Sequence, residues 1–393
     1  MSRRAGAAPQ DDIRGEYAVE PVVLESDLPY RQRQLREVWR LMAALYAAWK
    51  GHDSAGIFRA SSTDGRGWSP QEHVAGVGTS HGPALVVFEH RLYMFWKGLG
   101  DDTAIWWSVT RDGQHWTDQD TAPSLGQGLS QFRTSESPAV AVFGDRLHLF
   151  WKGSDDLGIW HASAFPPGRP VDGRERLFWD DHGRLDYVDP GTGGSFDYTR
   201  NAPAALAMQQ MYLAGQNEDN DGIFAWSSAD GIFWDPEQIV DVPGVGTSNG
   251  PALVNNATTF LGEPDKLLMF WKGAADDSSI WHSSSSDAGR NWTTQRPVPN
   301  VGTSHRPALA TWGEDVYVIW KRNDAGLCWA VFSPFAGDPG VWLHPVTRDP
   351  VRPGEPKIPS VGTSHRPALT VFEPRPAVVG HFHPGRFGHA THR

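Results

Sequence analysis

The sequence predicts an all-β chain: a single six-bladed β-propeller with four-stranded blades, its ring closed by pairing of N- and C-terminal strands. Three observations predict it. A phrase, Thr-Ser-X-X-Pro-Ala, recurs at intervals of roughly 48–65 residues, the period of a propeller or similar repeat array. The apolar runs between copies are short, rich in Val, Ile, Trp, Tyr and Phe, and bounded by Gly, Pro and Asp, which is the composition of strands. The repeat is also out of step at its ends. The first Trp-Lys-Gly, at Trp49, has no phrase before it, and the last phrase, at Thr363, has no Trp-Lys-Gly after it. Closure resolves this: Pro367–Phe372 becomes the inner strand of the blade whose other strands start near Leu45, which removes an open sheet edge.

Each unit reads in the same order. The phrase comes first, as TSHGPAL at Thr79–Leu85, TSESPAV at Thr134–Val140, the degraded TRNAPAA at Thr199–Ala205, TSNGPAL at Thr247–Leu253, and TSHRPAL at Thr303–Leu309 and Thr363–Leu369. Its Pro-Ala-Leu begins the inner strand. The second strand runs into Trp-Lys at Trp49, Trp96, Trp151, Trp271 and Trp320; in the fourth unit Leu213-Ala214-Gly215 stands there instead. An acidic loop such as Asp101-Asp102 follows, then an Ile-Trp strand, then a turn of the form Asp-Gly-X-X-Trp, then the outer strand. Helical spacing appears at Leu35, Val38, Leu41 and Leu45, within a stretch whose end must be strand.

The repeat covers nearly the whole chain of 393 residues, so one domain is expected. It divides into an N-terminal extension (1–40), the propeller (41–373) with an insertion at 165–198, and a His/Gly/Pro-rich tail (374–393). Nineteen Trp and 42 Gly suit aromatic-packed, tightly turned sheets. The net charge of −11, without a basic stripe, argues against a nucleic-acid partner. A single cysteine, Cys328, excludes an internal disulfide framework. No stretch reaches membrane-spanning length, and the first residues lack the apolar core of a signal peptide. The expectation is a cytoplasmic protein, or one exported without such a signal, that does not engage membranes.

The closing turn, in full form Ser285-X-Asp287-X-Gly289-X-X-Trp292, resembles the Asp-box of sialidase-type propellers. The copies at Asp64–Trp68, Asp112–Trp116 and Asp230–Trp234 are one residue shorter. The wider unit, from about Leu45 to Phe372, is similar to repeats of bacterial lectin-like and sialidase-like propellers. That likeness implies a propeller whose turns are structural and whose ligand is a carbohydrate or another small molecule. The chain departs from working sialidases in lacking an Arg-Ile-Pro motif.

In a propeller the inner strand starts on the face that usually carries the site, so the six phrases should ring the channel mouth. The third phrase position reads, in ring order, His305, His365, His81, Glu136, Asn201 and Asn249. Imidazole and carboxylate suit one divalent transition metal on the axis, with Glu136 as ligand or base. This resembles carotenoid-oxygenase and gluconolactonase-like propellers in architecture. The competing reading is a repeat residue inherited by duplication. Arg306 and Arg366 add positive charge suited to an anionic substrate.

Lysine is the second informative pattern. Five of the seven lysines, Lys50, Lys97, Lys152, Lys272 and Lys321, directly follow the repeat tryptophan, in a chain that otherwise uses 28 arginines. One reading is a clamp, the stem packed on Trp and the ammonium paired with the loop Asp. The other is a set of sugar sites in which Trp49, Trp96, Trp151, Trp271 and Trp320 offer flat faces and Lys and Asp bond hydroxyls. Two functions follow. The leading one is a carbohydrate-binding, lectin-like propeller with repeated Trp-Lys/Asp sites and the mouth residues Asn201 and Asn249. The alternative is an intracellular enzyme with an axial metal on His81, His305 and His365, with Glu136, Arg306 and Arg366 as catalytic groups and the 165–198 insertion as lid.

Overall fold

The structure, a computed structural model, describes residues 43–124, 127–165, 175–180, 182–185, 199–217, 221–256, 265–334, 340–348 and 356–374. Residues 1–42 and 375–393, and with them the helical spacing before Met42 and the His-rich tail, lie outside the described residues.

Six antiparallel sheets form the ring. The first blade places Ala368–Phe372 innermost, then Ala44–Lys50, Ile57–Ser62 and Glu72–His73. The C-terminal strand pairs with the N-terminal one in the register Ala47↔Leu369. The expected closure is therefore the observed one. The other inner strands are Ala84–Phe88, Ala139–Phe143, Ala204–Ala207, Pro251–Asn255 and Ala308–Trp312. Each packs on the next around the axis, and the last packs on Ala368–Phe372. Outer strands are mostly two or three residues long, as at Asp120–Thr121 and Val341–Leu343. Short edges of this kind give a neighbouring chain little to pair with. Among the described residues no helix is long and apolar enough to cross a membrane.

Blade-to-blade packing follows from the repeat tryptophan. Trp49, Trp96, Trp151, Trp271 and Trp320 are 0–1% exposed. Each lies in an apolar cluster shared between adjacent blades. In the fourth blade Gly215 and Gln216, not Leu213 and Ala214, hold the Trp and Lys register positions, because Gly215 pairs with Phe224 as Trp271 pairs with Trp281. A Cβ on Gly215 would lie 2.6 Å from Phe224 Cζ. Phe224 fills the volume the missing indole leaves.

The closing turns share one hydrogen-bond scheme. Asp112 Oδ1 accepts from the Gln114 and His115 amides at 2.8 Å, and Thr110 Oγ1 accepts from Gly113 N at 3.0 Å. Asp64 and Asp230 do the same in their blades. In the longer turn Asp287 accepts from Asn291, which holds its carboxyl down at about 2. Gly113 has φ +74°, and a Cβ there would collide with the Tyr46 ring. Gly113→Ala therefore combines left-handed strain with a clash, and should cost about 2–4 kcal/mol in urea unfolding. A loss below about 0.5 kcal/mol would show that the turn relaxes freely.

The insertion contributes to a blade edge. Phe178–Trp179 and Gly183–Arg184 pair with Ile159–Phe165, and Leu177 and Trp179 are buried in the core. These residues of the expected lid pair along the blade edge instead, with Leu177 and Trp179 buried and Phe178 exposed. Residues 166–174 and 186–198 lie outside the described set.

Candidate functional site

The phrase builds its own turn. All six threonines, Thr79, Thr134, Thr199, Thr247, Thr303 and Thr363, have no exposed surface. Thr79 Oγ1 donates toward His81 O (2.9 Å) and Lys97 O (2.7 Å) and accepts from His81 N (3.1 Å). A hydroxyl that bonds the backbone two residues on is the chemistry of a Ser/Thr turn. It aims the third residue at the axis.

The following serine links lysine to histidine. Lys97 Nζ donates to Ser80 Oγ (3.0 Å), Ser80 Oγ donates to Gly98 O (2.9 Å), and His81 Nδ1 lies 3.0 Å from the same oxygen. The hydroxyl has one proton: with it on the Gly98 carbonyl His81 Nδ1–H donates to Ser80, and with it on Nδ1 the imidazole accepts. The tautomer decides whether Nε2 faces the axis as an acceptor or as a donor. Lys50, Ser364, Gly51 and His365 repeat the arrangement. In the sixth blade Lys321, Ser304 and His305 carry the same Lys–Ser and Ser–His contacts.

The third-position residues meet as the ring order requires. His81, Glu136, Asn201, Asn249, His305 and His365 line one cavity of about 190 Å³, with Arg306 and Arg366. Ring centroids are 5.3 Å apart for His81 and His365, and 5.6 Å for His305 and His365. His81 Nε2 lies 3.9 Å from Glu136 Oε2. Burial first, then neighbouring cations and imidazoles, pushes all three histidines down to about 4, so they are neutral at pH 7. Burial pushes the Glu136 carboxyl up, opposed by Lys152, Arg366, Arg306 and Lys97. Among the described residues no three His, Cys, Asp or Glu side chains are disposed to hold one metal ion. The three imidazoles share the cavity with two guanidinium groups.

The arginines close the floor. Arg306 Nη1 donates to Ala202 O (2.8 Å), Pro203 O (2.9 Å) and Pro251 O (2.9 Å), reaching two other blades. Its backbone amide donates to Asn249 Oδ1 at 2.9 Å. Arg366 Nη2 donates to Pro138 O at 3.0 Å. Below them the channel continues as a chamber of about 110 Å³ lined by the Pro-Ala-Leu strands. Sequence reasoning placed positive charge here but missed the crossing of the channel. Its signal is the small residue that faces an arginine in other phrases: Gly82, whose added Cβ would collide with Arg366 O, and Gly250, where it would lie 3.0 Å from Ala202 O. Gln216 is a second miss. Its Oε1 accepts from Asn201 Nδ2 and its Nε2 donates to Thr247 O at 2.7 Å.

The Trp-Lys residues stand apart from this cavity. Their buried indoles present no face to a sugar, which corrects the ligand-binding reading of Trp49, Trp96, Trp151, Trp271 and Trp320. Lys97, Lys152, Lys272 and Lys321 are buried and bonded to serine hydroxyls and backbone carbonyls. The clamp also differs in detail from the expected one. Lys97 Nζ bonds the Asp102 carbonyl, while the Asp102 carboxylate accepts from Trp106 Nε1 at 2.7 Å. A separate cavity of about 210 Å³ lies at one blade junction, lined by Gln131, Phe132, Arg133, Asp155, Trp160 and His182 among others. Phe132-Arg133 stands there where Val77-Gly78, Val245-Gly246, Val301-Gly302 and Val361-Gly362 precede four of the five other phrases.

Together these features define a closed six-bladed propeller with one polar axial pocket. No protein-family model and no curated protein matches the chain. Its similarity is to solved structures. A mutant of AofleA from Arthrobotrys oligospora is 12% identical, over 86% of this chain and 92% of that one, with a TM-score of 0.54. The fucose-specific lectin from Aleuria aurantia is 12% identical over 76% and 89%, with a TM-score of 0.48. Trypanosoma rangeli sialidase is 13% identical over 67% of this chain and 48% of its own, with a TM-score of 0.45. At such identities the likeness extends to the fold alone.

Proposed function

We propose that the protein binds a small hydroxylated ligand of the carbohydrate class, one molecule per chain, in the axial pocket. One observation carries this: six phrases converge six polar side chains, from six blades, on one cavity. Three neutral imidazoles offer ring nitrogens that accept from or donate to hydroxyls, and Asn201 and Asn249 offer amides. Convergent polar groups in a preformed concavity fix the orientation of a small ligand. A volume of about 190 Å³ falls below the roughly 300–1,000 Å³ of drug-sized sites, which limits the ligand to about one sugar ring. A ring of that size carries several hydroxyls, enough to meet acceptors from several blades at once.

Binding is favoured over turnover by the pocket's own inventory. Its one carboxylate is Glu136, whereas glycoside hydrolysis ordinarily uses two. Ser80 is engaged by Lys97, His81 and Gly98 rather than poised as a nucleophile.

Titration of the full chain with neutral and acidic monosaccharides, followed by calorimetry, tests the reading. We expect one site, weakened at least tenfold in Asn249→Leu and His305→Phe. Binding that survives both but is lost in Arg133→Gly would move the ligand to the blade junction and overturn the axial assignment.

A further inference from the structure

The charge balance of the pocket narrows the ligand. Two guanidinium groups, Arg306 and Arg366, face a single carboxylate, Glu136. The three histidines are neutral, and the two asparagines carry no charge. Five lysine ammonium groups stand one layer behind, each on the serine of a phrase: Lys50 on Ser364, Lys97 on Ser80, Lys152 on Ser135, Lys272 on Ser248 and Lys321 on Ser304. Each of these lysines also lies near a loop carboxylate, Asp53, Asp101 and Asp102, Asp156, Asp276 and Asp277, or Asp324, so the surplus at the pocket is that of the two guanidinium groups over Glu136. A concave site of one sign focuses the field on its contents.

Hydrogen bonding points the same way. Arg306 is fixed by three carbonyls on one nitrogen. Arg366 has one partner on Nη2, and its Nε is buried without a hydrogen-bond partner. A buried donor left unpaired is costly, and a guanidinium is matched best by a planar, two-oxygen anion. Backbone carbonyls satisfy its donors but leave its charge uncompensated.

We infer that the axial pocket selects a small hydroxycarboxylate, such as a sugar acid, with its carboxylate on the Arg306–Arg366 side and its hydroxyls toward the three imidazoles and Asn249. The inference rests on the axial reading above and adds the sign of the ligand's charge. Glu136 then opposes the ligand. It stands among the same cations and competes with the incoming carboxylate for them.

The test compares matched pairs on the full chain: glucuronate with glucose, and gluconate with glucitol. We expect the acid of at least one pair to bind about tenfold or more tightly than its neutral partner, with the difference shrinking as salt rises. Glu136→Gln should widen the acid-to-neutral ratio by about tenfold, the sign a merely structural carboxylate would not produce. Arg366→Met should collapse the ratio; because that variant also removes a channel-spanning bond, Glu136→Gln carries the test should it fail to fold. Equal binding of acid and neutral forms, or a ratio that narrows in Glu136→Gln, overturns the charge inference and leaves the axial reading standing. Binding in neither pair overturns both.

Discussion

Stability should fall steeply between pH 6.5 and 4 and stay nearly flat from pH 6.5 to 8. The cause is a set of histidines that the fold keeps neutral. Burial pushes His148 down to about 4, His161 to about 3 and His282 to about 4. The axial His81, His305 and His365 also sit at about 4. His148 and His161 stack with centroids 5.2 Å apart, and His148 Nδ1 meets His161 Nε2 at 3.0 Å, so one ring must donate while the other accepts. An unfolded histidine takes its proton near pH 6.5, a folded one here only near 4. Between those values the unfolded chain binds more protons, so stability drops as pH falls. At pH 5 each core histidine costs about 2 kcal/mol, and at pH 4 about 3 kcal/mol. Three such groups approach the whole stability of a typical domain, about 5–15 kcal/mol. The carboxylates held low, such as Asp64, Asp230 and Asp287, add their own loss only below about pH 4. Urea midpoints measured at half-unit steps from pH 8 to 4 check this, with His148→Phe/His161→Leu expected to flatten the slope. A midpoint unchanged from pH 7 to 5 would mean the rings accept protons in place.

How much of this was legible in the sequence depends on what the repeat encodes. Strand order, blade number and closure were readable because each unit states them again, and a staggered end has one solution in a ring. The convergence of His81, Glu136, Asn201, Asn249, His305 and His365 was readable for the same reason: equivalent positions in equivalent blades share an axis. The tryptophans misled, because a flat apolar ring serves a sugar and a blade junction equally well in one dimension. Burial distinguishes them, and burial is a property of the neighbouring blade. The loop aspartates misled similarly. Asp102 lies near Lys97 in sequence, but its carboxylate turns to Trp106 Nε1 while its carbonyl takes the ammonium. The crossing arginines were hidden because Arg306 finds Ala202 and Pro203 more than a hundred positions away.

Lys272→Met should destabilise the fold by about 3–5 kcal/mol, the largest effect expected of a single substitution outside the apolar core. The ammonium bonds Ser248 Oγ (2.8 Å), Gly273 O (3.1 Å), Ala275 O (3.0 Å) and Asp277 O (3.1 Å). Methionine preserves the stem's packing beside Trp271 but removes every donor. Four oxygens then lose a charge-assisted partner in a nearly dry setting, where an unmade bond costs about 1–3 kcal/mol and access to water limits the sum. The fourth blade shows the compensated alternative. It lacks both halves of the pair: Arg200 stands at the serine position and Gln216 at the lysine position. Gln216 instead bonds Asn201 and Thr247 O. Serine and lysine thus change together within one chain, as a coupled pair should. A double-mutant cycle on Ser248→Ala and Lys272→Met measures that coupling by urea unfolding, and about 1–2 kcal/mol is expected. Additive losses would show that the carbonyls alone hold the ammonium. A stable Lys272→Met protein with weakened ligand binding would return the lysines to the role of ligand contacts, which their burial beneath the phrase argues against.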